Sequence, residues 1–286
     1  FANLSLDLGG SVGFQPQTNS GGNTYSIGAL SGASAAASLG GGSAGRATYS
    51  IGGLNTSTSF AGLISGNAAL TKVGIGGTLT LTGANTFTGA TVVNAGTLYV
   101  NATNAALNTG LSFTSGITVN SGGTLQSSSN ALFGWDGTQV KNITVNSGGA
   151  MTADNLADVR VGRVTLAGGS LQSVGTSTAF GSWVFDGVSG VLAATDNSTV
   201  SAVNVRMQNG ATVDVSAGKT LSFTGTITDV TSAALTTSTL IKTGTGTLAL
   251  SGANAYTGGS TLNAGTVKIN DAQALGSTGT LTFGGG

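Results

Sequence analysis

One segment of this chain is written twice, and any fold it adopts must house both copies alike. Thr78-Leu-Thr-Leu-Thr-Gly-Ala-Asn-Thr-Phe-Thr-Gly89, continuing to Asn94-Ala-Gly-Thr-Leu98, returns as Thr247-Leu-Ala-Leu-Ser-Gly-Ala-Asn-Ala-Tyr-Thr-Gly258 and Asn263-Ala-Gly-Thr-Val267. In each copy the two Thr-Leu or Thr-Val steps lie 19 residues apart, from Leu79 to Leu98 and from Leu248 to Val267. The lead-in Leu70-Thr-Lys72 is matched by Leu240-Ile-Lys242. A looser unit, glycine then small then aliphatic, runs between the copies as Gly123-Thr-Leu125, Gly149-Ala-Met151, Gly169-Ser-Leu171 and Gly190-Val-Leu192. Counted from Leu98, the steps to these aliphatic residues are 27, 26, 20 and 21. Near the N-terminus Thr24-Tyr-Ser-Ile-Gly28 returns as Thr48-Tyr-Ser-Ile-Gly52. A fixed beat of this length marks an architecture that stacks on itself.

Within each beat the pattern is that of a strand. Ile117-Thr-Val119, Ile143-Thr-Val145, Val164-Thr-Leu166 and Val213-Asp-Val215 alternate apolar and polar residues between clusters of Asn, Ser and Gly. Convincing helical periodicity is absent; Asp154–Val161 and Asp271–Gly276 could form a turn or two. Short strands recurring with no helix between them predict an all-β parallel β-helix. Each rung hydrogen-bonds to the next at about 4.8 Å and buries its apolar positions beneath it. A mean beat of about 22 residues gives about 13 rungs over a single region, 1–286, with little or no helix. The 50 Gly and 44 Thr suit such a coil, because small side chains let turns approach and β-branched Thr fits a pleated surface. The alternative is an array of two or three β-sandwiches, which needs turn signals every 8–12 residues and larger aromatic cores. The stacked reading predicts that Leu79, Leu98, Leu125, Met151, Leu171 and Leu192 form one inward ladder.

Composition narrows the chemistry. The 286 residues include no His, Cys or Glu, and nine Asp balance nine Lys and Arg. That excludes a Ser-His-Asp triad, a Cys protease, a Cys/His zinc site and a disulfide scaffold. No cofactor is implied. A net charge of zero leaves no basic footprint for nucleic acid. No run of 18 apolar residues exists to cross a membrane as a helix. The opening Phe1-Ala-Asn-Leu-Ser-Leu-Asp7 is not a signal peptide, and Gly284–Gly286 closes in mid-pattern, as expected of a piece of a longer chain.

Residues 72–101 and 242–270 resemble the autotransporter-associated β-strand repeat, also called the passenger-associated transport repeat. The resemblance is carried by Lys-x-Gly-x-Gly, Thr-Leu-x-Leu-x-Gly-Ala-Asn, Phe/Tyr-Thr-Gly and Asn-Ala-Gly-Thr-Leu/Val. The first copy departs by one inserted residue, Gly77. The resemblance implies a right-handed β-helical passenger or stalk of a bacterial surface or secreted protein, extracellular and often part of a far longer polypeptide. It implies scaffold rather than a particular activity.

Three places in the sequence could carry chemistry or binding. Ala217-Gly-Lys-Thr220 lacks the earlier glycine of a phosphate loop and leads into a strand, so it reads as a turn. Asp136 and Asp158 lie 22 residues apart, and stacked carboxylates could serve a polysaccharide lyase or hydrolase. Their offsets from the rung markers Leu125 and Met151 differ, so the pair reads as out of register and the chain as non-enzymatic. Trp135 and Trp183, beside the turns Trp135-Asp-Gly137 and Phe185-Asp-Gly187, are candidate glycan contacts or, alternatively, corner packing. The sequence therefore predicts a structural stalk or fibre segment that stacks on adjoining repeats or on copies of itself. The alternatives are an adhesin segment binding a glycan or a host or neighbouring surface, and a carbohydrate-active β-helix enzyme.

Overall fold

The computed structural model describes residues 3–102, 110–128, 132–134, 140, 142–154, 159–174, 183–186, 190–230 and 237–285. They fall into two compact units, Phe1–Val140 and Lys141–Gly286. Both are parallel β-solenoids, and together they make about 10 turns rather than about 13, with no helix among the described residues. The count is lower because several turns are longer than the 22-residue mean: Thr91 pairs with Ile117, Val164 with Leu192 and Val213 with Lys242, steps of 26, 28 and 29. Val159–Val161 is a strand, and Asp271–Gly276 is a pair of tight turns closed by Ala274 N–H to Asp271 O and Gly276 N–H to Gln273 O.

In the N-terminal unit, strands Asn23–Ile27, Ala47–Ile51, Ala69–Lys72, Thr91–Val93 and Ile117–Val119 form the first sheet. The second holds Thr58–Phe60, Thr78–Leu81, Gly96–Val100 and Gly123–Ser127. A short third sheet holds Gly13–Phe14, Ser38–Leu39 and Leu63–Ile64. The C-terminal unit repeats this plan. Its first sheet runs from Ile143–Asn146 to Leu281–Phe283 and its second from Ala150–Ala153 to Thr266–Ile269. Its third comprises Val159–Val161, Trp183–Asp186, Asn204–Gln208 and Thr226–Asp229.

Strand alternation decides what enters the core. Along Gly123–Ser127 buried and half-buried positions alternate, as they do along Ala211–Val215. The buried set then stacks with its counterparts one turn away. Leu79, Leu98 and Leu125 are register partners, and so are Leu81, Val100 and Ser127. On the outer face Thr78, Thr97 and Thr124 stack instead, where β-branched side chains pack well. In the C-terminal unit Met151, Leu171, Val200, Phe223, Leu250 and Ile269 stack in one second-sheet ladder.

Leu192 does not belong to that ladder. It lies on the first sheet between Val164 and Val213, while Leu171 meets Val200 on the second. The error has a physical source: Val191–Ala194 also follows a glycine and is also buried, so its composition matches a second-sheet strand. The spacing of 21 from Leu171 is an ordinary turn length and could not separate the two sheets.

Leu125 is fully buried beneath Leu98. Leu125→Asp places an uncompensated carboxylate there and is expected to cost several kcal/mol, on the order of 3–5. Thr124→Asp, on the outer face of the same strand, should shift the denaturation midpoint far less. Equal midpoints for the two variants would show that this register is wrong.

Candidate functional site

A lysine sits inside the aliphatic stack of each repeat copy. The first-sheet ladder reads Ile27, Ile51, Lys72, Val93, Val119 in the N-terminal unit. In the C-terminal unit Lys242 stands between Val213 and Leu262. Lys72 is 1% exposed and Lys242 0%. Their stems pack as a leucine would, and a buried ammonium is tolerable only if its protons find acceptors.

The corner of the turn supplies them. Lys72 Nζ donates to the carbonyls of Val73 at 2.6 Å, Gly74 at 3.2 Å and Ala95 at 3.2 Å. Lys242 Nζ donates to the equivalent trio, Thr243, Gly244 at 2.6 Å and Ala264 at 3.2 Å. Three protons thus meet three carbonyls, two on the lysine's own corner and one on the following turn. Glycine makes the geometry possible. Gly74 turns the corner at φ 85°, and a Cβ on Gly96 would lie 2.7 Å from Lys72 Nζ. Burial lowers the pKa of both lysines, and at Lys242 the Asp214 carboxylate pulls the other way.

Two further side chains complete the set. Asn85 and Asn254, the Asn of each Gly-Ala-Asn, are buried and bonded to main chain only. Phe87 and Tyr256, two residues beyond each asparagine, are buried as well. The extra hydroxyl of Tyr256 meets Ser260 Oγ at 2.6 Å, and Ser260 donates onward to Leu275 O. The first copy carries Phe87 and, at the position of Ser260, Thr91, whose hydroxyl lies 3.3 Å from that of Thr114. The inserted Gly77 stays in the corner between Lys72 and Thr78, where Ile75 turns out to solvent at 85% exposure.

The residues singled out from sequence sit elsewhere. Trp183 is fully buried, stacked on Val159 and Val205, and its indole N–H donates to Gln172 O at 2.8 Å. Packing is therefore its role, and it has no face to offer a sugar. Trp135, Asp136 and Asp158 lie outside the described residues. Lys219 follows a turn closed by its own N–H to Ser216 O, leads into strand Thr220–Phe223 and pairs on the surface with Asp196 at 2.8 Å. In the sequence the two buried lysines stand out only as letters of the repeat motif. The signal was there: in Leu70-Thr-Lys72 the alternation that buries Leu70 also buries Lys72.

Residues 70–100 and 240–269 match the passenger-associated transport repeat family. The chain thus carries two copies of this repeat on a parallel β-solenoid. A stretch of 102 residues is 38% identical to the adhesin BmaC autotransporter of Brucella suis biovar 1 (strain 1330). That stretch is 35% of this chain and 3% of the relative, so the chain spans only a small part of it. No solved structure matches the chain significantly.

Two outcomes follow from this geometry. Lys242→Met keeps the stem but strips three buried carbonyls of their donor, at an expected cost of about 2–3 kcal/mol in chemical denaturation. Because the folded lysines lose their protons below the ordinary 10.5, the unfolded chain binds more protons in the interval leading up to it. Stability should then rise with pH as 10.5 is approached. The slope is best read below pH 10, before Tyr49 and Tyr256, whose phenols burial pushes above the usual 10.0, begin to oppose it. Lys72→Met with Lys242→Met should flatten it. Separately, Tyr256→Phe should cost about 1 kcal/mol, and Ser260→Ala should add little in its presence, giving a coupling of roughly 0.5–1 kcal/mol in a double-mutant cycle.

Proposed function

We propose that this chain is a structural segment of a bacterial surface or secreted passenger, a β-helical stalk or fibre element rather than an enzyme. The observation that carries the reading is how the repeats use their polar side chains. Lys72, Lys242, Asn85 and Asn254 all turn inward and bond main chain of their own and adjoining turns, so the repeated residues hold turns together. The match to a passenger repeat and the likeness to an autotransporter adhesin support placement outside the cell. An epitope inserted at the exposed corner of Ile75 tests it: antibody should label intact cells of the source bacterium. Labelling only after lysis would overturn the proposal.

Association with a further solenoid turn, of the same polypeptide or of another copy, belongs to the same proposal. Leu281 and Phe283 occupy inward ladder positions above Ser260 and Leu262 yet are 43% and 72% exposed. A strand edge carrying such side chains is a template for another strand. Light scattering should rise with concentration, and Thr280→Lys with Thr282→Lys should suppress the rise. A parent that stays monomeric at high concentration counts against self-association.

The name of the relative favours a second reading, an adhesin segment that contacts a glycan or a host surface. With Trp183 packed in the core, Trp135 is the remaining aromatic of that reading. A glycan array with the parent and Trp135→Ala separates it from the scaffold reading.

A further inference from the structure

In each unit the third sheet stops at a repeat copy. Among the described residues, Leu63–Ile64 is its last strand in the N-terminal unit and Thr226–Asp229 its last in the C-terminal unit. Gly-Ala-Asn then crosses that side of the next turn without forming a strand. A strand left there would present unpaired N–H groups at the edge of a buried face, which costs about 1–3 kcal/mol per group.

The two edges are closed in the same way. Ile64 N–H donates to Asn85 Oδ1 at 2.9 Å, while Ile64 O accepts from Thr86 N–H at 2.9 Å. Ile227 N–H donates to Asn254 Oδ1 at 2.7 Å, while Ile227 O accepts from Ala255 N–H at 2.8 Å. Thr86 and Ala255 are the same position of the repeat, as are Asn85 and Asn254. The asparagine amide thus takes the place of a strand carbonyl. Its Nδ2 is also held, by Gly83 O at 3.1 Å in one copy and Ala274 O at 2.6 Å in the other, so the side chain cannot rotate away.

We infer that the repeat is a sheet terminator: its buried asparagine caps the third sheet of the turns before it and so closes a run of three-sided turns. Asn85 ends a run of three strands and Asn254 a run of four. The repeat then does more than add one more rung. It ends one side of the coil without leaving an open ladder, and the chain beyond can travel that side without strand geometry, as Asp271–Gly276 does. The inference stands on asparagine-to-main-chain hydrogen bonds in two copies and holds whether or not the passenger reading does.

Site-resolved amide exchange of the full chain tests it. In the parent, the Ile64 and Ile227 amides should be protected to within about tenfold of inner-strand amides such as Ser38 and Val205. Exchange at the rate of an open edge would overturn the inference without any mutation. Asn254→Leu should speed exchange at Ile227 by about tenfold to a hundredfold, leaving Thr220–Phe223 and Thr247–Leu250 on the second sheet, and Ile64, at parental rates. Leu248→Ala, a general core lesion of the same turn, should loosen the second and third sheets together. If Asn254→Leu did the same, the asparagine would be ordinary core and the terminator role would fall.

Discussion

Stacking at one strand spacing governs this molecule. Once a turn lies about 4.8 Å above the last, each inward side chain meets its own counterpart, and the ladder must be compatible along its whole length. Leu79, Leu98 and Leu125 satisfy that rule simply. The corners follow from the same spacing, because main chain passes over main chain there and a side chain would intrude. A Cβ on Gly74 would lie 2.0 Å from Gly52 O, one turn below. The abundance of glycine and the scarcity of charge are therefore two faces of one requirement: nothing bulky at a corner, nothing unpaired in a ladder.

Buried polar groups are the informative exceptions. Apolar residues would fill the ladder positions of Lys72 and Lys242 with less desolvation, but they would leave the corner carbonyls facing inward without donors. An ammonium on a flexible stem reaches three of them at once. Asn85 and Asn254 solve the matching problem on another side, offering an acceptor where the strand gives out. Each copy thus brings a donor cluster and an acceptor of its own, set 13 residues apart in the first and 12 in the second, the difference being Gly77.

Much of this was legible in the sequence because alternation and beat are local properties. The strands at Ile117–Val119, Ile143–Asn146, Arg163–Ala167 and Ala211–Val215 stand where alternation put them. The assignment of strands to sheets was less legible: Leu192 and Leu171 share a motif, and only the path of the chain between them places them on different sides. Trp183 shows the same limit at the level of a side chain. An aromatic beside an Asp-Gly turn fits a binding platform or a core plug equally well, and burial beneath neighbouring strands decides for the plug. The lysines' burial is written in the same alternation, since Lys72 shares the phase of Leu70 and Lys242 that of Leu240.

The matched changes at Phe87/Tyr256 and Thr91/Ser260 bear on how such a gene can change. Residues 78–98 and 247–267 align without a gap and share 12 of 21 positions, so a crossover between them would keep the frame of the repeat. The strand-to-strand distance from Leu79 to Leu98 equals that from Leu248 to Val267, so an exchange alters no pairing beyond the joint. The length difference of Gly77 is confined to a corner and travels with it. The hydroxyl pair spans only four residues, so nearly every crossover point leaves tyrosine with serine and phenylalanine with threonine. Any product of such an exchange would keep the 19-residue strand step within the repeat.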